Sequence, residues 1–344
     1  MRFPELGELV KFSRQDAVTL SSGLNFGGAA PTIVDCGISQ SPGMKKNLMR
    51  KLADGHGFLS ILLNLRRVAD GNQPIFLDYK VEAVPRYGYG KPPHPELARI
   101  LAAHEDGYRN LLSQFLNFSN DLLRIPLRQP SSSPEPCWIN EWLDGLDTFT
   151  LYGFLATRNP ALLLEVGSGY STKLARRAIR DRQLRTRVIS IDPRPRAEID
   201  PLCDEIVRQP LEACDLSVVN RLGSGDVLFM DGSHRSFMNS DVTVFFLEIL
   251  PRLRPGVLVH IHDIFLPLDY KPWWLQRFYP HRYWSEQYLL AASLLAGHSS
   301  YEVILPNHYV SITPHLASAL DVFWREPQLA EVSRSGSSFW IQAR

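Results

Sequence analysis

LLLEVGSGYST, residues 162–172, is the stretch on which the reading of the whole chain turns. An apolar run ends in Glu165, Gly167 and Gly169 flank Ser168, and Ser171-Thr172-Lys173-Leu174-Ala175 opens a helical pattern. The spacing predicts a buried strand, a tight turn and a helix N-terminus. Glycine lets the backbone turn sharply and approach a ligand closely. The helix start offers free N–H groups and a positive dipole end, which suit a carboxylate or a phosphate.

Outward from this stretch the pattern is regular. Strand 161–166 precedes helix 171–181, strand 187–192, a short helix near 196–203, strand 205–209 and helix 211–222. Strand 226–231, helix 241–253, strand 256–263, helix 285–297, strand 301–306 and a last strand, 337–343, complete the series. Near-continuous apolar strands alternating with helices predict an α/β, doubly wound, mostly parallel sheet covered on both faces. Ligands of such sheets bind beyond the carboxyl ends of the strands, so the residues just after each strand are the ones to inspect.

The remainder is less regular. RQPSSSPEPC, residues 128–137, reads as a linker or exposed loop between an N-terminal extension of uncertain fold (1–127) and a domain spanning 138–344. The extension holds a Gly/Ala/Pro-rich loop near Gly27–Pro31, a helix over Met44–Arg67, an irregular stretch at 84–96 and helical sequence over Pro95–Leu123. It reads either as a lid that shapes substrate choice or as an embellishment that widens a homo-oligomer interface. Residues 138–157 read as helical. A net charge of +1 over 344 residues excludes a strong field for nucleic acid or acidic membrane. The four cysteines (Cys36, Cys137, Cys203, Cys214) lack zinc-site or CxxC spacing and read as reduced thiols. With no apolar core at the start and no span-length apolar run, a cytoplasmic, non-membrane protein is expected.

The second strand ends at Asp192, where a carboxylate can accept both hydroxyls of a ribose; with the glycine turn, this fits an adenosine-type cosubstrate. A nicotinamide fingerprint calls for a third small residue where Thr172 stands. Glu165 instead suits a ligand with a positive amino group beside a carboxylate, a feature of S-adenosylmethionine.

EVGSGYST, SIDP, DVLFMDGSH and PGVLVHIHDIFLP, in that order, resemble the class I S-adenosylmethionine-dependent methyltransferases, within them the group with D-G-x-H after the fourth strand and H-D after the fifth. The resemblance spans about 138–344. It implies a seven-stranded, Rossmann-like sheet with a reversed last strand. It also implies that Glu165, Gly167, Ser168 and Gly169 line the methionine part of the cosubstrate, Asp192 holds the ribose, Glu212 lies near the adenine, and Asp231 faces the reactive centre. Tyr170-Ser171 departs from the extra glycine of many relatives, yet Ser171 can still hydrogen-bond the ligand carboxylate.

Asp231, His234, His262 and Asp263 form a second constellation at neighbouring strand ends. Methyl transfer to a hydroxyl needs alignment and removal of a proton, either by a histidine base, for which His234 is the first choice with Asp231 and His262 beside it, or by a divalent metal. Relatives of the catechol type hold magnesium at such ends, which here implies Asp231, His262 and Asp263 as ligands. An imidazole in the set shifts preference from magnesium toward manganese, iron or zinc. His260 reads as a core histidine, Asp263 alternatively as a loop cap, Arg194 and Arg196 as surface charges, and Glu286-Gln287 as a first-turn dipole match. The aromatic loop 267–284 is either a packed lid edge or a wall for the methyl acceptor. The expectation is a methyltransferase acting on a small-molecule hydroxyl, of a sugar or natural-product intermediate. The rivals are an NAD-dependent oxidoreductase and a non-catalytic S-adenosylmethionine-binding protein.

Overall fold

The computed structural model describes residues 84–276, 283–297 and 300–344, with Val68, Ala69, Gly71 and Glu82 besides. The loop at Gly27–Pro31, Cys36 and all of the helix expected over Met44–Arg67 lie outside the described residues.

In chain order the principal elements are α1 (Pro95–Ala102), α2 (Glu105–Phe115), α3 (Gly145–Arg158), β1 (Leu162–Val166), α4 (Tyr170–Arg182), β2 (Arg187–Ile191), β3 (Glu205–Val207), β4 (Val227–Met230), β5 (Leu258–Ile261), α5 (Glu286–Leu295), β6 (Tyr301–Pro306), α6 (Asn307–Ile312) and β7 (Phe339–Ala343). The strands form one sheet in the order β3-β2-β1-β4-β5-β7-β6. Among β1 to β5 every pairing is parallel, and β7 runs antiparallel between β5 and β6. The seven-stranded sheet with a reversed last strand is therefore present. β1, β4 and β5 are buried along their whole length, which is why their sequences are apolar runs and not alternating ones.

Helix boundaries depart from expectation where side chains compete for the backbone. Residues 139–144 are irregular because Asn140 Oδ1 accepts the N–H groups of Trp142 and Leu143 (2.9 and 2.7 Å), delaying α3 to Gly145. The stretch 211–222 is two 3₁₀ turns, Leu211–Ala213 and Leu216–Arg221, split where Asp215 caps Ser217. The stretch 241–253 changes from α to π to 3₁₀ as it approaches Pro251, which cannot donate to the preceding turn.

Leu101, Tyr108, Leu112, Phe115 and Leu122 belong to the same buried core as the sheet. Gly153 of α3 lets α2 come close: a Cβ there would sit 2.3 Å from the Phe115 ring. Buried side chains from both sides of the 128–137 segment thus join one core. Residues 307–336, unassigned from sequence, supply α6 and short helical turns whose Phe323 and Trp324 pack on Phe149 and Trp138.

Asp147 joins these parts. Only 1% exposed, its carboxylate accepts from Ser337 N, Ser338 N and Asn307 Nδ2 at 2.8–3.0 Å, tying α3 to the start of β7 and to α6. Replacing Asp147 by Ala strands these buried donors, and urea unfolding should show a loss of about 3 kcal/mol. A midpoint equal to wild type would contradict this.

Candidate active site at the strand ends

The parallel register levels four strand ends. Val166 pairs with both Ile191 and Met230, and Met230 pairs with Ile261. The next residue of each strand continues the ladder: Gly167 N donates to Ile191 O, Asp231 N to Val166 O and His262 N to Met230 O, at 2.8–3.0 Å. Gly167, Asp192, Asp231 and His262 therefore open onto one rim.

Beside that rim lies a hollow with about 530 Å³ of atom-free space, mouth included, lined by Gly167, Ser168, Gly169, Tyr170, Ser171 and Asp231 from the predicted motifs and by Ser131, Trp142, Leu143, Arg196 and Ala197. Gly167 has φ +79°, and a Cβ there would lie 1.9 Å from the Asp231 carbonyl oxygen, so only glycine fits between these strands. Asp192 Oδ2 accepts from Ser168 N (2.9 Å) and Oδ1 from Arg194 N (2.7 Å), which fixes the glycine turn against the end of β2. Thr172 accepts from Gly169 N (3.1 Å) and donates to Glu165 Oε2 (2.6 Å). Two polar atoms of this turn are buried without a protein partner, Glu165 Oε1 and Ser168 Oγ. Burial pushes the Glu165 carboxyl up to about 7, even though hydrogen bonds from Thr172 and Ser171 pull the other way. A cationic ligand beside Glu165 would favour its ionised form, as the charge of Arg176 already does in part.

The second constellation also converges. His234 Nε2 lies 3.1 Å from Asp231 Oδ1 and 3.7 Å from Asp263 Oδ2, and its Nδ1 lies 2.9 Å from Glu286 Oε2. His262 Nδ1 is 3.5 Å from Asp231 and 3.7 Å from Asp263, and its Nε2 is 3.7 Å from Asp147. Burial alone would lower both imidazole pKa values. The carboxylates outweigh it, chiefly Asp231 and Glu286 around His234, raised to about 10, and Asp263 and Asp231 around His262, raised well above the usual range. Asp231 is held well below the usual carboxylate range, since the charges and hydrogen bonds of His262 and His234 outweigh the opposing effect of burial. Both ring nitrogens of His234 thus face carboxylates, Asp231 on one side and Glu286 on the other. His234 and Asp263 both sit at positive φ (60° and 57°), an unusual conformation that holds their side chains in the cluster. Asp231, His262 and Asp263 each offer a donor atom within 4.8 Å of the others, a two-oxygen, one-nitrogen set that fits a divalent cation of the manganese type.

Several members were not anticipated. Glu286, read as a dipole match at a helix start, is fully buried on His234. Arg196, read as a surface charge, stacks 4.5 Å over the Trp142 ring at the hollow's edge. Asp147 belongs to a helix whose register against His262 no local pattern reveals. His260 packs in the core, stacked on Phe229 and bonded to Ser338 Oγ at 2.7 Å. Glu212 sits in the turn after β3 and is not among the residues lining the hollow. The loop after β5 gathers Phe265, Tyr270, Trp274 and Trp284 into an aromatic cluster, with Trp284 4.2 Å from the His234 ring. Residues 277–282 of that loop lie outside the described residues.

Residues 164–264 match the family model described as a methyltransferase domain, so the run from β1 to the end of β5 carries the similarity that its motifs suggested. An O-methyltransferase from Bacillus cereus in complex with SAH is 14% identical, covering 68% of this chain and 91% of that one, with a TM-score of 0.34. An SAH-bound methyltransferase from Podospora anserina is 16% identical, covering 75% of this chain and 100% of that one, with a TM-score of 0.36. At these scores the two structures add nothing to what the strand order already shows. No curated protein matches the chain.

Glu165 links this site to stability. A carboxyl raised from 4.5 to about 7 binds its proton more tightly in the folded than in the unfolded state. Stability therefore falls as pH rises through that window, by an amount on the order of 3 kcal/mol. Glu165→Gln should flatten the decline between about pH 4.5 and 7 in denaturant titrations. An undiminished slope in the variant would assign the decline to other groups.

Proposed function

We propose that this chain is an S-adenosylmethionine-dependent methyltransferase that transfers the methyl group to a hydroxyl of a small molecule. The observation that carries this reading is the convergence of the glycine-turn hollow and the acid–imidazole cluster on one rim, with Asp231 belonging to both. In this reading Glu165 supplies the anion for the amino group of the donor. The glycine turn with Ser168 and Ser171 and the start of α4 receives the donor's carboxylate. Asp192, its two oxygens already facing the rim-side backbone of Ser168 and Arg194, holds the ribose. Asp231, at the end of β4, separates the donor side from the acceptor side.

Methyl transfer is an in-line displacement, so the protein's task is alignment and handling of one proton. A divalent cation at Asp231, His262 and Asp263 would lower the pKa of an acceptor hydroxyl. This is favoured over a histidine base because both nitrogens of His234 already face carboxylates. His234 then serves to orient Asp231 and Glu286. The aromatic cluster around Trp284 offers flat faces beside the acids, which suit a ring-bearing acceptor such as a sugar or a natural-product intermediate. The oxidoreductase reading is weakened by Thr172, whose hydroxyl is engaged by Gly169 N and Glu165 where a dinucleotide turn uses a small residue for close packing.

Calorimetric titration with S-adenosylhomocysteine (SAH) tests the donor site. Binding should be seen with wild type and weakened by about 1–3 kcal/mol in Asp192→Ala. Equal affinity in the two proteins would remove Asp192 from the ribose role, and binding of NAD in place of SAH would select the oxidoreductase. Methyl release to a panel of hydroxyl compounds should rise with manganese. Chelation and Asp263→Asn should each lower it by about a hundredfold with SAH affinity kept. Transfer that survives chelation returns the proton to a protein base, and SAH binding without transfer to any acceptor favours a sensor.

A further inference from the structure

The Pro/Ser-rich loop 128–137 and the helix that follows the glycine turn are fastened together by a buried lysine. Lys173, on the first turn of α4, is only 1% exposed. Its Nζ donates to two backbone carbonyls of the loop, Ser131 O at 3.1 Å and Ser133 O at 2.6 Å, and lies 5.2 Å from the centre of the Tyr170 ring. An ammonium taken out of water is tolerated only when its N–H groups find such partners, so the carbonyls are held firmly. Two further contacts run between the same loop and the same helix. Tyr170 Oη lies 3.0 Å from Cys137 Sγ, and Arg180 makes a two-pronged contact with Glu135 at 2.6 and 2.7 Å. Both partners of the fastening reach the hollow, since Ser131 and Tyr170 are among its lining residues.

We propose that Lys173 is a positioning residue for the methyl donor: it holds the 128–137 loop against α4 so that Ser131 and Tyr170 wall the donor hollow. The proposal rests on the donor reading given above. The helix whose N-terminus faces the ligand also carries the loop that borders it, so order in one is order in the other. A surface linker would have no need of a buried cation. Neither the composition of the loop nor the helical pattern around Lys173 discloses the pairing, which joins residues about forty positions apart.

Lys173→Met and Lys173→Arg, compared with wild type by SAH calorimetry and by amide hydrogen exchange of the loop, test this. Lys173→Met should lower SAH affinity by about tenfold and speed exchange of the 129–136 amides without ligand. Lys173→Arg, which keeps a charge able to reach the carbonyls, should restore most of both. In wild type, SAH should slow exchange of the same amides. A folded Lys173→Met with wild-type SAH affinity and wild-type loop exchange overturns the proposal, as does equal loss in the Met and Arg variants. If Lys173→Met fails to fold, protection of the wild-type loop by SAH decides, and no change there overturns it. If wild type binds no SAH, the donor reading falls, while loop exchange in the variants still decides whether Lys173 holds the loop.

Discussion

Everything functional in this molecule depends on the in-register parallel pairing of β1 with its two neighbours. Because Val166 stands level with Ile191 and with Met230, the residues that follow emerge at one height. A shift of one residue in any strand would turn its end residue to the opposite face and dissolve the site. The register is enforced from below by the fully buried apolar runs of β1, β4 and β5. At the rim it is enforced by Gly167, which has no side chain to obstruct the Asp231 carbonyl oxygen.

The rim gathers several buried charges in one place. Asp147, Asp231, Asp263 and Glu286 surround two imidazoles, and each His nitrogen facing a carboxylate compensates part of the cost of burying that acid. Such a cluster attracts positive charge, whether as protons on His234 and His262 or as a cation among Asp231, His262 and Asp263. The left-handed backbone at His234 and Asp263 is sustained by this packing and aims both side chains inward. On the donor side the arrangement is complementary: Glu165 and Ser168 are buried with atoms unmatched by the protein.

What could be read from the chain follows from how local each signal is. The strands were legible because a buried parallel strand is an apolar run of fixed length, and the strand-end residues Gly167, Asp192, Asp231 and His262 were legible because they follow such runs directly. The helices at 211–222 and 241–253 misled because Asp215 and Pro251 interrupt periodic patterns that look continuous. Glu286, Asp147 and Lys173 were illegible for a different reason. Each looks like an ordinary helix residue, and its role appears only when a partner about forty or more positions away is placed beside it. Trp142 and Arg196 likewise meet only across the mouth of the hollow.

The most direct test is a crystal structure of the protein grown with SAH and manganese chloride, with anomalous diffraction recorded for the metal. The thioether ligand should lie along the Gly167–Ser171 turn with its ribose on Asp192, and a single anomalous peak should fall among Asp231, His262 and Asp263. A ligand bound elsewhere, or a metal peak away from those three side chains, would contradict the shared rim from which the function is inferred.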